Sequence, residues 1–239
     1  MDTVKINKMN VKMVAHRGLS GIEPENTAAA FIAAGNRSYF GVETDIYRTL
    51  DGRFAVNHDG NLSRVGGVDM LVEGSTLEEL QQVVLFDKDG AKNRCDLRVC
   101  TLESYLSICK RYEKHCVLEL KSDFTDSEIA RIIEIIEAYG CIDTVTFISF
   151  NYNNLLRIRK ILPNQSAQYL FGNVTDEVIS MLAKDRIDAD VHYPCLTKEN
   201  IDALHFANIK VNCWTVDSKF DAENLAMWGV DYITSNILE

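Results

Sequence analysis

Short runs of β-branched residues alternate with amphipathic helical patterns along most of the chain, and this alternation constrains the fold more than any other feature. From Val117 onward the apolar runs recur every 20–30 residues, which is the spacing of a strand followed by a helix and predicts a parallel sheet. The runs are Val11–Ala15, Val42–Ile46, Val117–Lys121, Val145–Ser149, Ala167–Phe171, Ala189–His192, Lys210–Val216 and Tyr232–Thr234. Eight strand–helix units close naturally into a (β/α)₈ barrel, so we expect an α/β protein of the TIM-barrel type.

Six stretches between these runs have the periodicity of amphipathic helices. They are Thr27–Ala34, Ser127–Tyr139, Asn153–Leu162, Glu177–Lys184, Lys198–Ala207 and Asp221–Trp228. Asn26 is expected to cap the first of these helices. His115 and His205 fall in helical or helix-end patterns and are expected at the surface.

The interval between the second and third apolar runs is too long for one crossover helix. It contains a hairpin-like return over Thr49–Asn57 and two predicted helices, the first opened by the capping box Thr76-Leu77-Glu78-Glu79. No linker rich in proline or serine interrupts the chain, which has only three prolines. We therefore expect a single domain over residues 1–239, with a small insertion at about 59–100 between the second and third barrel strands.

Composition excludes several classes of function. The chain has 35 acidic and 25 basic residues, a net charge of −10, which disfavours a general nucleic-acid binder. Its apolar runs are far shorter than the ~20 residues that span a bilayer, and the N-terminus has no signal-peptide pattern. Seven cysteines without a CxxC pair are expected to be free thiols, so we expect a cytoplasmic protein.

Acidic residues mark the ends of two predicted strands. In a barrel of this type the reactive groups lie at the C-terminal ends of the strands. Glu43 and Asp45 are two residues apart and project to the same side, and Glu119 is followed at the same spacing by Lys121. Three converging carboxylates repel one another unless a cation lies between them. Because oxygen ligands suit hard ions, the sequence predicts Mg²⁺ or Ca²⁺ at Glu43, Asp45 and Glu119.

Two histidines follow apolar runs within polar clusters. They are His16, next to Arg17, and His58, between Asn57 and Asp59. A pair of imidazoles beside a cation fits acid–base catalysis, one ring taking a proton from the attacking oxygen and the other giving one to the leaving oxygen. Arg17 and Lys121 supply a planar fork and a point charge for an anionic phosphate. These groups together predict metal-assisted cleavage of a phosphate ester.

The same residues belong to a series of short motifs in a fixed order. The motifs are His16-Arg17-Gly18, Pro24-Glu25-Asn26-Thr27, Glu43-Thr44-Asp45, Asp51-Gly52, His58-Asp59, Thr101-Leu102-Glu103, Glu119-Leu120-Lys121, Ser149-Phe150, Trp214-Thr215-Val216 and Gly229-Val230-Asp231. In this order they resemble the signature of the glycerophosphodiester phosphodiesterases. The resemblance runs from about Val11 to Ile237, and its first three motifs are specific in combination although each alone is weak.

The resemblance implies a TIM-barrel hydrolase that cleaves glycerophosphodiesters to sn-glycerol 3-phosphate and an alcohol. It implies His16 and His58 as general acid and base, Glu43, Asp45 and Glu119 as ligands of Mg²⁺ or Ca²⁺, Arg17 and Lys121 as phosphate contacts, and Trp214 as the glycerol side of the pocket. The partner expected is a small-molecule substrate, without nucleic acid or stable membrane insertion. Whether the protein forms a homo-oligomer stays open.

The sequence departs from the family pattern near its end. Asp217 follows the Trp-Thr-Val segment where the family usually has Asn, and Thr234-Ser235 stands where Thr-Asp is common. These changes leave the head-group alcohol open. Two alternatives also stay open: a lysophospholipase D or sphingomyelinase D-like enzyme on the same barrel, and a non-catalytic phosphate-binding barrel.

Overall fold

The computed structural model describes residues 2–239, and its centre is a sheet of parallel strands closed on itself. The strands are β1 (Lys12–Ala15), β2 (Gly41–Arg48), β3 (Phe54–Val56), β4 (Cys100–Thr101), β5 (His115–Leu120), β6 (Val145–Ser149), β7 (Ser166–Phe171), β8 (Asp188–His192), β9 (Val211–Trp214) and β10 (Tyr232–Ser235). β1 pairs in parallel with both β10 and β2, which closes the barrel through β5 to β9. The predicted (β/α)₈ architecture is therefore confirmed.

Helices connect successive strands around the outside of the barrel. They are α1 (Ala28–Gly35), α2 (Ser63–Gly66), α3 (Leu77–Gln82), α4 (Leu102–Arg111), α5 (Asp126–Ala138), α6 (Tyr152–Ile161), α7 (Asp176–Asp185), α8 (Lys198–Phe206) and α9 (Lys219–Trp228). The side chain of the preceding residue caps the N-terminus of most of them, and Thr76 and Glu79 form the predicted capping box at α3. No helix within residues 2–239 is both long enough and apolar enough to span a membrane.

The chain between β2 and β5 forms an antiparallel extension of the barrel sheet. β2 continues beyond the barrel and pairs with β3, which in turn pairs with β4. The hairpin was predicted, whereas β4 and the single-turn helix α2 were not, because so short an element has no periodicity of its own. A separate apolar cluster, including Leu62, Leu80 and Leu97, fills the space beneath this extension.

Packing inside the barrel places the polar groups at one end. Val14, Val117, Ile148 and Leu170 form a small apolar cluster in the barrel interior, and Trp214 packs against it. The large apolar core lies instead between the strands and the surrounding helices. Ile148, Leu170 and Trp214 of this cluster lie near the C-terminal ends of their strands, so apolar side chains adjoin the charged side chains at that end of the barrel.

Two local predictions were wrong. Thr27, and not Asn26, caps α1: its hydroxyl accepts a hydrogen bond from the Ala30 backbone, while Asn26 is buried with a φ of +57°. His115 begins strand β5 and is half-buried, with its ring stacked on Phe40 at 4.9 Å. In both cases a tertiary neighbour, which local sequence does not reveal, determines the position of the side chain.

Candidate active site

A pocket opens at the C-terminal ends of the barrel strands, with a cavity volume of about 90 Å³. One wall is polar and contains His16, Arg17, Glu43, His58 and Glu119. The opposite side contains the apolar side chains of Ile148, Phe150, Leu170 and Trp214, together with Asp190, Thr215 and Thr234. The pocket therefore offers a charged half and a mostly apolar half to a single small molecule.

The three predicted carboxylates meet in the polar wall. Glu43 and Asp45 project from β2, and the parallel register of β2 and β5 sets Asp45 directly beside Glu119. One oxygen from each of the three groups lies within 4.8 Å of the others, and all three side chains are buried. Burial, followed by repulsion from the neighbouring acids, raises the pKa of Glu43 well above its usual range and that of Glu119 to about 8.

Two cations compensate part of this charge. Lys121 places Nζ 2.9 Å from Glu119 Oε1 and 3.4 Å from Asp45 Oδ1. Arg17 places Nε 3.7 Å from Asp45 Oδ2, and its backbone N–H donates to Glu43 Oε2 at 2.7 Å. Burial opposes ionisation of Asp45, but Lys121 and Arg17 outweigh it and hold the pKa of Asp45 below its usual value.

The acidic cluster fits a hard divalent cation. Asp45 Oδ1 is buried and has no hydrogen-bond partner, so one carboxylate oxygen at the centre of the cluster is unsatisfied. All the candidate ligand atoms are carboxylate oxygens, the donor type that Mg²⁺ and Ca²⁺ prefer. A divalent cation would use this oxygen and remove the mutual repulsion of Glu43, Asp45 and Glu119.

His16 lies at the end of β1, and a chain of hydrogen bonds holds its ring. Asn236 Oδ1 lies 2.8 Å from His16 Nδ1, and Ser20 Oγ donates to the same oxygen at 2.6 Å. Asn236 Nδ2 donates to Asp217 Oδ2 at 2.6 Å. Because a carboxylate only accepts, this last bond fixes which way the amide points and makes His16 Nδ1 the protonated nitrogen. The Nε2 lone pair of His16 is thus left to accept a proton.

The surroundings of His16 also keep its ring uncharged. Burial, and then the positive charge of Arg17, lower the pKa of His16 to about 4. The ring is therefore neutral near pH 7 and available as a base.

His58 has a different partner. It lies in the loop after β3, and its Nδ1 is 2.8 Å from Asp59 Oδ1. Arg64 Nε donates to the other Asp59 oxygen at 2.7 Å, which fixes the carboxylate. Burial, together with the positive charges of Arg17 and Lys121, lowers the pKa of His58 overall, although the negative charge of Asp45 and the bond to Asp59 act in the opposite direction. A carboxylate behind the ring stabilises an imidazolium, as a proton donor requires.

Trp214 ends β9 and forms part of the apolar wall. Its indole N–H donates to the backbone oxygen of Asp190 at 3.2 Å, which fixes the plane of the ring. Phe150 meets the ring edge-on with centroids 5.5 Å apart, and His192 lies 5.2 Å from it on the outer side. The structure thus brings all eight predicted site residues to one end of the barrel.

Sequence reasoning missed the residues that hold these groups in place. Asn26 donates to Asp45 Oδ2 at 2.8 Å and accepts from the Thr44 hydroxyl, so it positions a carboxylate instead of capping a helix. Asn236 immediately follows the last barrel strand, a position at the barrel mouth that could have identified it. Its partner Asp217 was noticed only as a departure from the family pattern.

The chain is similar over most of its length to known proteins of one family. The sequence profile of the glycerophosphoryl diester phosphodiesterase family matches residues 16–238. The chain is 29% identical over 233 residues to a glycerophosphodiester phosphodiesterase of Bacillus altitudinis, covering 93% of each protein. A phosphodiesterase of Oleispira antarctica, solved in complex with the product sn-glycerol-3-phosphate, superposes with a TM-score of 0.89 at 25% identity, over 98% of this chain and 96% of that one. A lysophospholipase D of Rattus norvegicus is 28% identical over 186 residues, 74% of this chain and 50% of the relative.

Proposed function

Since the chain belongs to the glycerophosphoryl diester phosphodiesterase family and is accordingly a phosphoric diester hydrolase, we propose that it cleaves glycerophosphodiesters to sn-glycerol 3-phosphate and an alcohol with the aid of a divalent cation and two histidines. One observation carries the proposal. Two carboxylates, two imidazoles and the guanidinium of Arg17 line a pocket whose other side is mostly apolar, and Asp45 and Lys121 lie directly against those carboxylates. The product bound to the Oleispira relative supports the same substrate class.

Glu43, Asp45 and Glu119 would hold Mg²⁺ or Ca²⁺, and the unsatisfied oxygen of Asp45 supports this assignment. A bound cation supplies positive charge next to the phosphate and stabilises the charge that develops during cleavage. Arg17 and Lys121 then contact the remaining phosphate oxygens, because each already lies at the edge of the carboxylate cluster with donors to spare.

The two histidines divide the proton transfers. His16, neutral and with Nε2 free, takes the proton from the attacking oxygen. His58, with the Asp59 carboxylate behind its ring, gives a proton to the departing alcohol oxygen. Trp214 lies against the hydrocarbon face of the glycerol moiety, opposite the charged wall.

We also propose a domain organisation and a cellular location. We regard residues 1–239 as a single domain in which the segment at about 59–100 is an insertion, because β3 and β4 extend the barrel sheet itself. His58 comes from the loop that follows β3, so this extension contributes to the site. Five of the seven cysteines are buried free thiols, which supports a reducing, cytoplasmic location.

A substrate panel tests the proposal. The purified protein is incubated with glycerophosphocholine, glycerophosphoethanolamine, glycerophosphoinositol and a lysophospholipid, with and without EDTA, and release of sn-glycerol 3-phosphate is measured with a coupled dehydrogenase. We expect cation-dependent release from the glycerophosphodiesters. Cleavage of the lysophospholipid alone would establish the lysophospholipase D alternative. Binding of phosphate esters without cleavage would establish a non-catalytic barrel.

A further inference from the structure

A fourth acid faces the pocket and has no place in the mechanism above. Asp190 lies on β8, two residues before His192 and therefore on the same face of the strand. Its side chain is only 1% exposed, yet it lines the pocket. Asp190 does not belong to the carboxylate cluster that fits a cation.

The carboxyl group of Asp190 is incompletely satisfied. Its Oδ1 is buried and has no hydrogen-bond partner. The neighbouring Asn212 supplies one hydrogen bond to the carboxyl group, although its amide also donates to Gln168 and its oxygen accepts from Thr234. Burial, and then the charge of Glu119, raise the pKa of Asp190 well above its usual value. Burying an acid without a full set of hydrogen-bond partners lowers the stability of the fold, so a purely structural role does not account for Asp190.

Apolar side chains adjoin Asp190 on its side of the pocket. Leu170 lies beside it on β7 in register, and Ile148 and Trp214 complete the apolar wall. A substrate with its phosphate at Arg17 and Lys121 would extend across the pocket toward this wall. The acidic group on that side is Asp190, and the hydroxyl side chains of Thr215 and Thr234 also line the pocket.

We propose that Asp190 binds the terminal free hydroxyl of the glycerol moiety and so selects deacylated glycerophosphodiesters over lysophospholipids. The inference rests on the proposed function, because it assumes that the glycerol moiety occupies the apolar side of the pocket. A terminal hydroxyl satisfies the buried oxygen. An acyl ester at the same position has no hydrogen to donate and leaves that oxygen unpaired in an apolar setting.

The test compares two substrates in the wild type and two variants. The substrates are sn-glycero-3-phosphocholine and its 1-deoxy analogue, which keeps the hydroxyl next to the phosphoester and lacks only the terminal one. Asp190→Leu removes the acceptor at similar volume, and Asp190→Asn keeps a hydrogen-bonding group. Asp188→Asn is the matched control, because Asp188 projects from the same face of β8 at the other end of the barrel, where it accepts from the Lys210 backbone.

We expect the wild type to prefer the parent substrate by about 10- to 100-fold in kcat/KM, the usual effect of leaving a buried polar group unpaired. Asp190→Leu should lose this factor for the parent, mainly through KM, and leave the analogue unchanged. Asp190→Asn should retain most of the preference, and Asp188→Asn should retain all of it. Equal losses for both substrates in Asp190→Leu, or no preference in the wild type, would overturn the inference.

Binding separates this inference from the proposed function. The affinities of sn-glycerol 3-phosphate and of its 1-deoxy analogue are measured by titration calorimetry in the wild type and in Asp190→Leu. If no glycerophosphodiester is cleaved but the wild type alone discriminates between the two ligands, the function fails and the role of Asp190 stands. If cleavage occurs and neither protein discriminates, the role of Asp190 fails and the function stands.

Discussion

Exchanging the two residues behind His16 should shift the pH dependence of the enzyme. In the variant Asn236→Asp/Asp217→Asn, a carboxylate accepts from His16 Nδ1 where an amide oxygen does now, and an amide stands where the carboxylate was. The hydrogen bonds between positions 217 and 236 can be kept, because one partner is still an amide and the other a carboxylate. The exchange therefore changes the charge next to the ring more than it changes the packing.

The size of the effect follows from the distance. With 2.8 Å between His16 Nδ1 and the oxygen at position 236, the centres of charge lie about 4 Å apart. At an effective dielectric constant of about 20 a carboxylate stabilises the imidazolium by about 4 kcal/mol, equivalent to a factor of roughly 10³ in proton affinity. If His16, with its pKa of about 4, is the base as proposed, activity should be lost as the pH falls through that value. Because the exchange also removes the carboxylate that now lies behind Asn236 at position 217, the net upward movement of this acidic limb should be smaller, roughly one to two pH units.

The assay is kcat/KM for glycerophosphocholine from pH 4 to pH 9, together with the NMR titration of the His16 ring. The single variant Asp217→Asn is the control, because it removes the charge that orients Asn236 without placing one next to the ring. We expect lower activity in this control but no large shift of its acidic limb. If the ring titrates higher in the exchanged variant while the activity profile stays in place, His16 is not the base. If neither moves, Asn236 does not tune the ring.

Three further results are expected. EDTA should abolish activity, and Mg²⁺ or Ca²⁺ should restore it. Glu119→Gln should weaken cation affinity by at least about tenfold, while circular dichroism shows the fold intact. Full activity of Glu119→Gln in the presence of chelator would refute the cation site. His16→Ala and His58→Ala should each reduce kcat by about 10²–10⁴. The double variant should lose less than the product of the two single losses, because both groups serve one transition state. Near-normal turnover in either single variant would make that histidine structural. Finally, the neighbouring glycerol hydroxyl can attack phosphorus and form a cyclic phosphate. In that case the 2-deoxy analogue of glycerophosphocholine should bind but turn over far more slowly, since an intramolecular nucleophile has a large effective concentration. Equal kcat for the two substrates would leave water as the direct nucleophile.

Much of this protein is determined by local sequence. The eight strands and the helices between them follow from the periodicity of apolar residues, which depends only on neighbours a few positions apart. The pairing of Glu43 with Asp45 and of Glu119 with Lys121 follows in the same way from the two-residue repeat of a strand. Since a parallel barrel gathers its C-terminal strand ends at one face, these local patterns were enough to place the candidate site.

The groups that tune the site depend on tertiary structure. His16 and Asn236 are 220 residues apart, and they meet only because β1 pairs with β10 when the barrel closes. The local sequence predicts a helix cap at Asn26, because the contact of Asn26 with Asp45 is not visible in that sequence. Only packing shows that the carboxyl group of Asp190 is buried beside the pocket with one oxygen unpaired. Periodicity fixes which residues face the barrel interior, whereas the charge, tautomer and hydrogen bonding of each side chain depend on partners that the chain brings together only when it closes.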